Sequence, residues 1–267
     1  DGRFDWRVQA GDIPAHAAFV PRKAEIGPPP TEKPDSRYLQ AVDEYVPAPG
    51  QFVNLLPAYA SGDDARSMAA KCTAALANNA RGLVSLGGYG GYLTFHFDHR
   101  VANIHGENDL YIAGNSFASA DPQWAALGGA SEPGIVMVSR DDNRNGLPDD
   151  QWYELRGSAD EDSVGRMDYA YALHYTRTTE GAITWSDNRG NQGVVTNNAY
   201  HTQHYFPRWL AAPLRFSGTL LPPNRFLVGA GGGQWLGFFL RWGYVDNKPN
   251  NDRAANSFNI DNAVDAQ

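Results

Sequence analysis

Short apolar runs, separated by clusters of Asn, Asp and Gly, dominate the chain from Leu83 onward. In Leu93–Asp98 hydrophobic residues alternate with polar ones, which is the pattern of a strand with one buried face. The other predicted strands are Leu83–Leu86, Asp109–Ala113, Gly134–Ser139, Trp152–Leu155, Tyr169–Thr176, Ile183–Ser186, Val194–Thr196, Leu214–Thr219, Arg225–Val228 and Phe238–Val245. Many short strands with frequent turn signals predict an all-β fold, specifically an antiparallel β-sandwich of jelly-roll type.

The first part of the chain is irregular and rich in proline. Residues 1–44 include the run GPPPTEKP at Gly27–Pro34. Such prolines favour extended polyproline segments. We therefore expect residues 1–44 to form a proline-rich N-terminal arm, and residues 45–267 to form the β-sandwich domain.

One helix is predicted, at Asp63–Ala77. Asp63 or Asp64 can cap its first turn, and the Ala, Arg, Met and Leu residues that follow favour helix. Cys72 falls on the apolar face of this helix. That position indicates a buried small side chain rather than a nucleophile.

Composition excludes several classes of protein. The chain has 22 Lys and Arg against 30 Asp and Glu, a net charge of −8, which argues against a nucleic-acid partner. No apolar run approaches the roughly 18 residues of a transmembrane helix. A single cysteine rules out an internal disulfide framework. The sequence starts at Asp1 without Met, so we expect a mature or trimmed chain.

An acidic loop with the sequence DDNRNGLPDD follows the predicted strand Gly134–Ser139. Oxygen-bearing side chains occupy its first, third and fifth positions, glycine the sixth, and a residue offering its carbonyl the seventh. This is the spacing of a calcium-binding loop, and Ca²⁺ takes roughly six to eight oxygen ligands. The predicted ligands are Asp141, Asn143, Asn145, the carbonyl of Leu147, Asp149 and Asp150.

The loop departs from an EF-hand at position 12, where Trp152 replaces the bidentate Glu. Asp149 and Asp150 would have to supply the last oxygens, between two strands rather than two helices. The alternative is a hairpin with a solvated acidic tip. A calcium site would favour an extracellular location, because extracellular modules bind calcium at roughly 10⁻⁴–10⁻³ M and cytosolic calcium is too low to fill a weak site.

Several longer segments carry a family resemblance. They are VSLGGYGGYLTFHFDHRV (84–101), the GN-x-F of Gly114–Phe117, SEPGIVMVSRDDNRNGLPDDQWYELRGS (131–158), WSDNRGNQG (185–193), RWGYVDNKPN (241–250) and FNIDNAVDA (258–266). In this order they resemble a family of exported, PKD-associated cell-surface proteins of Bacteroidetes-type bacteria. The resemblance covers most of the chain after about Tyr45. It implies export, a surface location and a β-sandwich, and by association glycan or nutrient capture, but no catalytic role.

Aromatic residues near predicted loop ends indicate a binding surface. Sugar CH faces stack on aromatic rings, while Asn, Asp and Arg bond the hydroxyl groups. The predicted ligand-binding residues are Trp185, Asn188, Arg189, His201, His204, Tyr205 and Trp209. Other aromatic candidates are Trp152, Tyr153, Tyr200, Trp235 and Trp242. The alternative for each tryptophan is a place in the core.

Catalysis has less support in the sequence, which lacks the serine-hydrolase, zinc-protease and phosphate-loop motifs. A glycan-cleaving hydrolase needs two carboxyls about 5–10 Å apart. The candidates, which chain spacing cannot pair, are Asp98, Glu107, Asp109, Glu132 and Glu154.

Two further patterns could bind a metal. His96, Asp98 and His99 form the pattern H-x-D-H, which on a strand can bring at most two side chains to one ion. The alternative is that they are polar residues on the solvent-facing side of the strand. Asp246–Asp252 is a second oxygen-rich stretch, which could hold a second cation or form a plain loop.

The sequence favours an exported calcium-binding protein, at the cell surface or in the extracellular space, that captures a carbohydrate without catalysis. Ca²⁺ is the predicted cofactor. The alternatives are a glycan-cleaving hydrolase, a structural adhesion module that pairs with other cell-surface proteins, and a binder of a small nutrient such as a corrinoid.

Overall fold

The computed structural model describes residues 4–9, 36–162, 165–178, 181–229 and 233–264. Its one α-helix is α1, Ala65–Leu76. The strands are β1 Phe4–Gln9, β2 Ala41–Val46, β3 Tyr92–His96, β4 Leu110–Tyr111, β5 Phe117–Ala118, β6 Gly128–Ala130, β7 Ile135–Arg140, β8 Trp152–Leu155, β9 Asp168–Arg177, β10 Ile183–Asp187, β11 Gln192–Val195, β12 Leu214–Leu220, β13 Arg225–Val228, β14 Gln234–Phe238, β15 Ser257–Phe258 and β16 Ala263–Val264. Single-turn 3₁₀ helices lie at Ser158–Asp160, Ala254–Asn256 and Ile260–Asn262.

The strands form four sheets. The largest has the order β16-β8-β7-β1-β3-β2, two four-stranded sheets have the orders β11-β10-β9-β12 and β13-β14-β6-β5, and β15 pairs with β4. Neighbouring strands run antiparallel. The prediction of a mostly β chain with antiparallel sheets and one helix is confirmed, whereas the finer jelly-roll arrangement is not. No helix among the described residues is long and apolar enough to cross a membrane.

The predicted N-terminal arm contains a strand of the main sheet. β1 lies between β3 and β7, with Trp6 opposite both Phe95 and Val138. β2 also crosses the predicted domain boundary at Tyr45. The physical reason lies in the sequence FDWRVQ, whose apolar and polar residues alternate as a strand requires. The proline run at Gly27–Pro34 lies outside the described residues.

Two of the predicted strands are loops. Leu83–Leu86 makes single backbone bonds to separate segments, such as Ser85 N–H to the carbonyl of Leu56 at 2.7 Å. The predicted strand Phe238–Val245 leaves the sheet after Phe238, the last residue of β14. Beyond it, the side chain of Asn247 bonds both the N–H and the carbonyl of Leu240, at 2.8 and 2.7 Å. These backbone groups therefore need no strand partner.

Helix α1 matches its prediction within two residues at the start and one at the end. Asp64 caps it: its side chain accepts from Ser67 N–H at 2.8 Å, and the Ser67 hydroxyl accepts from Asp64 N–H at 2.9 Å. Met68 and Cys72 are buried on the face that packs against the largest sheet. Burial raises the pKa of the Cys72 thiol to about 12, so the thiol is protonated and inert, as predicted.

The buried apolar residues of the described ranges form three clusters, and β7 separates two of them. Val136 and Val138 belong to the cluster that includes α1, while Ile135 and Met137 point the other way and pack with Tyr244. Both faces of β7 are thus buried, which explains its continuous apolar sequence. The third cluster lines the β11-β10-β9-β12 sheet.

The buried side chain of Asn54 connects two segments that are far apart in the sequence. Asn54 donates to the carbonyls of His204 and Phe206, at 2.6 and 2.9 Å, and accepts from Arg208 N–H at 3.1 Å. A buried backbone group without a partner costs roughly 1–3 kcal/mol. The side chain of Asn54 therefore satisfies backbone groups of His204, Phe206 and Arg208, which lie in a loop outside the strands.

Replacement of Asn54 by alanine should lower the free energy of unfolding by roughly 2–4 kcal/mol, because three backbone groups lose their partner. Urea unfolding of Asn54→Ala measures this loss. The control is Gln123→Ala, an exposed amide, which should change stability by about 0.5 kcal/mol or less. Equal stabilities of the two variants would contradict the role given to Asn54.

Candidate functional site

The acidic loop lies between β7 and β8, which pair antiparallel with Met137 opposite Glu154 and Ser139 opposite Trp152. The predicted order of strand, loop and strand is therefore confirmed. Because β7 is buried on both faces, the loop begins from a rigid part of the molecule.

Asp141 is the anchor of the loop. It is only 4% exposed, and its two carboxylate oxygens accept the backbone N–H groups of Asn145 and Gly146, each at 3.0 Å. Gly146 has φ of 73°, a left-handed conformation that glycine adopts without strain. The chain thus wraps around the first predicted ligand, with glycine at the turn as the spacing predicts.

Asp149 closes the loop from the other end. Its carboxylate accepts the side-chain amides of Asn143 and Asn145, both at 2.9 Å, and these bonds hold the pKa of Asp149 below its usual value. The amide oxygens of the same two asparagines accept backbone N–H groups, from Asn145 at 2.9 Å and from Leu147 at 2.7 Å. The first, third, fifth and ninth positions therefore share one hydrogen-bonded network.

One buried oxygen of the loop has no partner in the described part of the chain. It is Oδ2 of Asp150, at the tenth position. A buried acceptor without a donor is costly, and a cation would satisfy it. Binding would also require Asn143 and Asn145 to turn their oxygens away from the backbone. Nowhere in the described ranges do three or more His, Cys, Asp or Glu side chains group as a metal site, so any ion here would depend on amide and carbonyl oxygens as well.

The first group of predicted ligand-binding residues lies on β10 and the turn after it. Trp185 is half-buried and packs on the third core cluster. Asn188 bonds the backbone of Ala170 and Ala172 at 2.8 and 3.0 Å. Arg189 pairs with Asp168. Asn188 and Arg189 are exposed, but their polar atoms already hold the turn against β9.

The second group lies in the loop after β11. Tyr205 is buried, and its hydroxyl donates to the carbonyl of His201 at 2.9 Å and accepts from Asn198 N–H at 3.0 Å. His204 bonds the backbone of Phe206 through its ring. These contacts fold the loop on itself.

Trp209 packs in a different cluster from Trp185 and Tyr205. Its ring stacks between Tyr45 and Tyr59, with centroid distances of 5.5 and 6.2 Å. The seven residues therefore do not form a single exposed surface. Tyr205 and Trp209 stabilise the interior instead.

The carboxylates considered for hydrolysis are dispersed and mostly engaged. Both oxygens of Asp109 accept backbone N–H groups, from Ile104 at 3.0 Å and Ile260 at 2.9 Å. Asp98 bonds its neighbour His99 at 2.7 Å. Glu107 and Glu132 are exposed.

Glu154 is the buried member of that set, with 4% exposure. Its partner is the hydroxyl of Thr219, which donates at 2.8 Å. Burial, reinforced by the charge of Asp160, raises the pKa of Glu154 to about 7. The position on β8, inside the core, keeps this carboxyl away from a glycan.

The H-x-D-H residues separate into two pairs. His96 bonds Asp43 at 2.8 Å and Gln40 at 3.2 Å, whereas Asp98 bonds His99. The two pairs therefore do not bring their side chains to one point. The side chain of His96 is only 12% exposed, so it does not lie on a wet face of the strand.

The stretch Asp246–Asp252 is a loop whose oxygens bond the protein. Asp246 accepts from Asn115 and Ser116 N–H at 2.6 and 2.7 Å, and burial raises its pKa to about 6. Asn250 bonds both backbone groups of Gly114. This favours the plain loop over a second cation site.

A cleft that the sequence analysis did not identify lies on the β13-β14-β6-β5 sheet. Its volume is about 340 Å³. Two of its lining residues are aromatic and exposed, Phe117 at 64% and Trp235 at 61%. Glu132 and Arg225 also line it, and the guanidinium of Arg225 lies 5.9 Å from the centre of the Trp235 ring.

The sequence analysis singled out only some of the residues that line this cleft. Trp235 belongs to the aromatic set, and Glu132 to the carboxylates, but Phe117 and Arg225 stood out only as parts of longer segments. Nothing in their spacing shows that residues more than a hundred positions apart meet at one sheet.

No protein-family model and no curated protein sequence matches this chain. The resemblance to exported cell-surface proteins therefore remains a prediction, based on the segments that carry it.

Replacement of Glu154 by glutamine should stabilise the protein at high pH only. The folded-state pKa of about 7 exceeds the ordinary 4.5, so the folded state binds this proton more tightly. Stability then falls as pH rises from about 4.5 to 7, and the cost is complete above 7. Since one pKa unit corresponds to about 1.4 kcal/mol, Glu154→Gln should gain up to roughly 3 kcal/mol at pH 8 and little at pH 4.5.

Urea unfolding at the two pH values measures this difference. Glu107→Gln, an exposed glutamate, is the matched control and should show no such pH dependence. If Glu154→Gln changed the free energy of unfolding equally at both pH values, the raised pKa of Glu154 would be contradicted.

Proposed function

We propose that this chain is an exported calcium-binding protein of the cell surface that captures a carbohydrate without transforming it. The acidic loop between β7 and β8 carries the calcium part of the proposal. Asp141 organises its turn, Asp149 accepts hydrogen bonds from Asn143 and Asn145, and the buried Oδ2 of Asp150 has no donor among the described residues. Oxygen ligands alone, at this spacing, suit Ca²⁺ better than a transition metal.

The ion would stabilise the hairpin rather than act on a substrate. The loop carries three acidic residues, Asp141, Asp149 and Asp150, within ten positions. A divalent cation bound to them would pin the loop. Calcium concentrations outside the cell are high enough to fill a weak site, which supports export.

Capture, rather than hydrolysis, is supported by the state of the carboxylates. Glu154 is buried, Asp109 is saturated with backbone bonds, and Asp98 is paired with His99. Glu107 and Glu132 are exposed, but Glu132 is the one carboxyl among the residues that line the cleft, whereas hydrolysis needs an acid and a base across the sugar. Carbohydrate is favoured as the ligand because exposed aromatic rings and polar side chains share the cleft on the β13-β14-β6-β5 sheet.

Calcium should raise the melting temperature of the wild-type protein relative to EDTA. A ligand that binds only the folded state at a hundredfold excess over Kd stabilises it by about 2.7 kcal/mol. For a chain of this size that corresponds to roughly 5–10 °C. The double variant Asp141→Ala, Asp149→Ala should lose the difference between calcium and EDTA, as measured by differential scanning calorimetry.

The matched control is Asp142→Ala. Asp142 lies in the same loop but is exposed, and its ion-pair partner among the described residues is Arg140. It occupies the second position, which does not supply a ligand in a calcium loop. Its calcium response should equal that of the wild type. A wild-type protein that melts at the same temperature in calcium and EDTA would refute the calcium site.

The capture function predicts binding without product. In calcium, a panel of host and plant glycans, with corrinoids included, should contain a carbohydrate that raises the melting temperature while chromatography of the mixture detects no cleavage. A released product would establish a hydrolase instead. A shift with a corrinoid alone would identify a small-nutrient binder, and no shift with any ligand would favour an adhesion module.

A further inference from the structure

We propose that a second cleft, separate from the one on the β13-β14-β6-β5 sheet, binds a single neutral sugar ring. It lies between the segment that follows β8 and the C-terminal segment that carries β15, and Arg156 and Trp242 line it. Its volume is about 220 Å³. This inference rests on the proposed capture function, for which it names a site and the size and charge class of the ligand.

Hydrogen bonds between distant segments hold the walls of this cleft. Arg156 N–H donates to the carbonyl of Asn262 at 2.9 Å, and Ser158 N–H donates to that of Trp242 at 3.1 Å. The C-terminal segment is also paired in sheets, because β15 pairs with β4 and β16 pairs with β8. The cleft is therefore formed before a ligand arrives, which lowers the entropic cost of binding.

Apolar groups in the cleft suit the CH face of a sugar. Leu155 and Phe258 line it and are buried, with 1% and 3% exposure. Trp242 also lines it, is half-buried, and belongs to none of the three buried clusters. Among the described residues the Trp242 ring contacts no other aromatic ring. A tryptophan that neither the core nor another ring uses can pack on a sugar.

Side-chain amides in the cleft have hydrogen-bonding capacity that the fold does not use. Within the described part of the chain, the side chains of Asn108 and Asn262 make no hydrogen bond. Asn259 uses only its oxygen, which accepts Asp261 N–H at 2.7 Å, so its amide N–H groups remain for a ligand. An amide both donates and accepts, as a hydroxyl group does, and adjacent hydroxyls of a sugar match several amides together.

The charges around the cleft favour a neutral ligand. Arg156 is the one charged side chain among the described residues that line it. Arg156 and Arg241 pair with Asp160, Glu161 and Asp162, a network of two positive and three negative charges. An anionic ligand would meet those carboxylates as well as the arginine. The Arg156 pairs are 3.9 Å long, beyond hydrogen-bond distance, so its N–H groups can still donate to hydroxyls.

The volume of the cleft limits the size of the ligand. Clefts for drug-sized ligands measure roughly 300–1,000 Å³, whereas this one measures about 220 Å³. A corrinoid or a whole oligosaccharide is too large for it, and a single sugar ring is a better match. A purely apolar molecule of that size would remove water from the amides without replacing their hydrogen bonds, which is costly. The ligand is therefore a free monosaccharide or one terminal unit of a glycan.

Isothermal titration calorimetry in calcium tests the proposal. The probes are glucose, galactose, mannose and xylose, the trisaccharides of each, and the charged sugars galacturonate and glucosamine. We expect a neutral monosaccharide to bind, and its trisaccharide to bind no more tightly because the cleft holds one ring. Trp242→Ala should weaken binding about tenfold or more, and Asn108→Ala about three- to tenfold.

The matched controls are Tyr200→Ala and Gln123→Ala, an aromatic residue and an amide that are exposed and lie outside this cleft. Both should bind the monosaccharide as the wild type does. Circular dichroism and melting temperature establish that each variant is folded. Since Asn108 is exposed, its variant tests the site even if Trp242→Ala does not fold.

The outcomes separate this site from the capture function. Binding that survives in both Trp242→Ala and Asn108→Ala, or that is lost only in Trp235→Ala, would overturn this site while capture stands. Binding of only galacturonate or only glucosamine would overturn the neutral class, and a trisaccharide that binds far more tightly than its monosaccharide would overturn the single-ring size. If no monosaccharide bound but a longer glycan raised the melting temperature, the site would be wrong and capture right. No binding of any sugar would overturn both proposals.

Discussion

The fold depends on side-chain amides and carboxylates that satisfy buried backbone groups outside the sheets. Strands are short and loops are long, so many N–H and carbonyl groups have no strand partner and would be costly to bury alone. Asn54, Asn247 and Asn256 meet this need in three places. Asn247 is fully buried and closes the chain around Leu240, and Asn256 donates to the carbonyls of Lys248, Pro249 and Asp252.

Carboxylates hold two loops in the same way. In the acidic loop Asp141 accepts two backbone N–H groups, and Asp246 accepts two more from Asn115 and Ser116, just before β5. Each carboxylate fixes a turn of the backbone. In the acidic loop the neighbouring asparagines are also bonded to the backbone, so an ion would have to replace those bonds.

Sequence reasoning succeeded where the determinants are close together in the chain. The capping box of Asp64 and Ser67 and the hairpin around Asp141 follow from residues a few positions apart. It did not identify the strand at Phe4–Gln9, because the long proline-rich stretch that follows dominates the composition of that region. It also could not tell which aromatic residues are buried. Trp209 and Trp235 have the same side chain, yet Trp209 stacks on Tyr45 in the core and Trp235 lines the cleft.

The sequence by itself determined the local elements: strand alternation, the helix cap and the oxygen spacing of the acidic loop, because each is set by backbone geometry over a few residues. Only the tertiary structure decided which rings reach solvent and which carboxyls are buried. Burial in the core raises the pKa of Glu154, and Trp235 comes to line a cleft beside Arg225 of the neighbouring strand. Burial depends on segments far apart in the chain, and no local pattern encodes which of them will pack together.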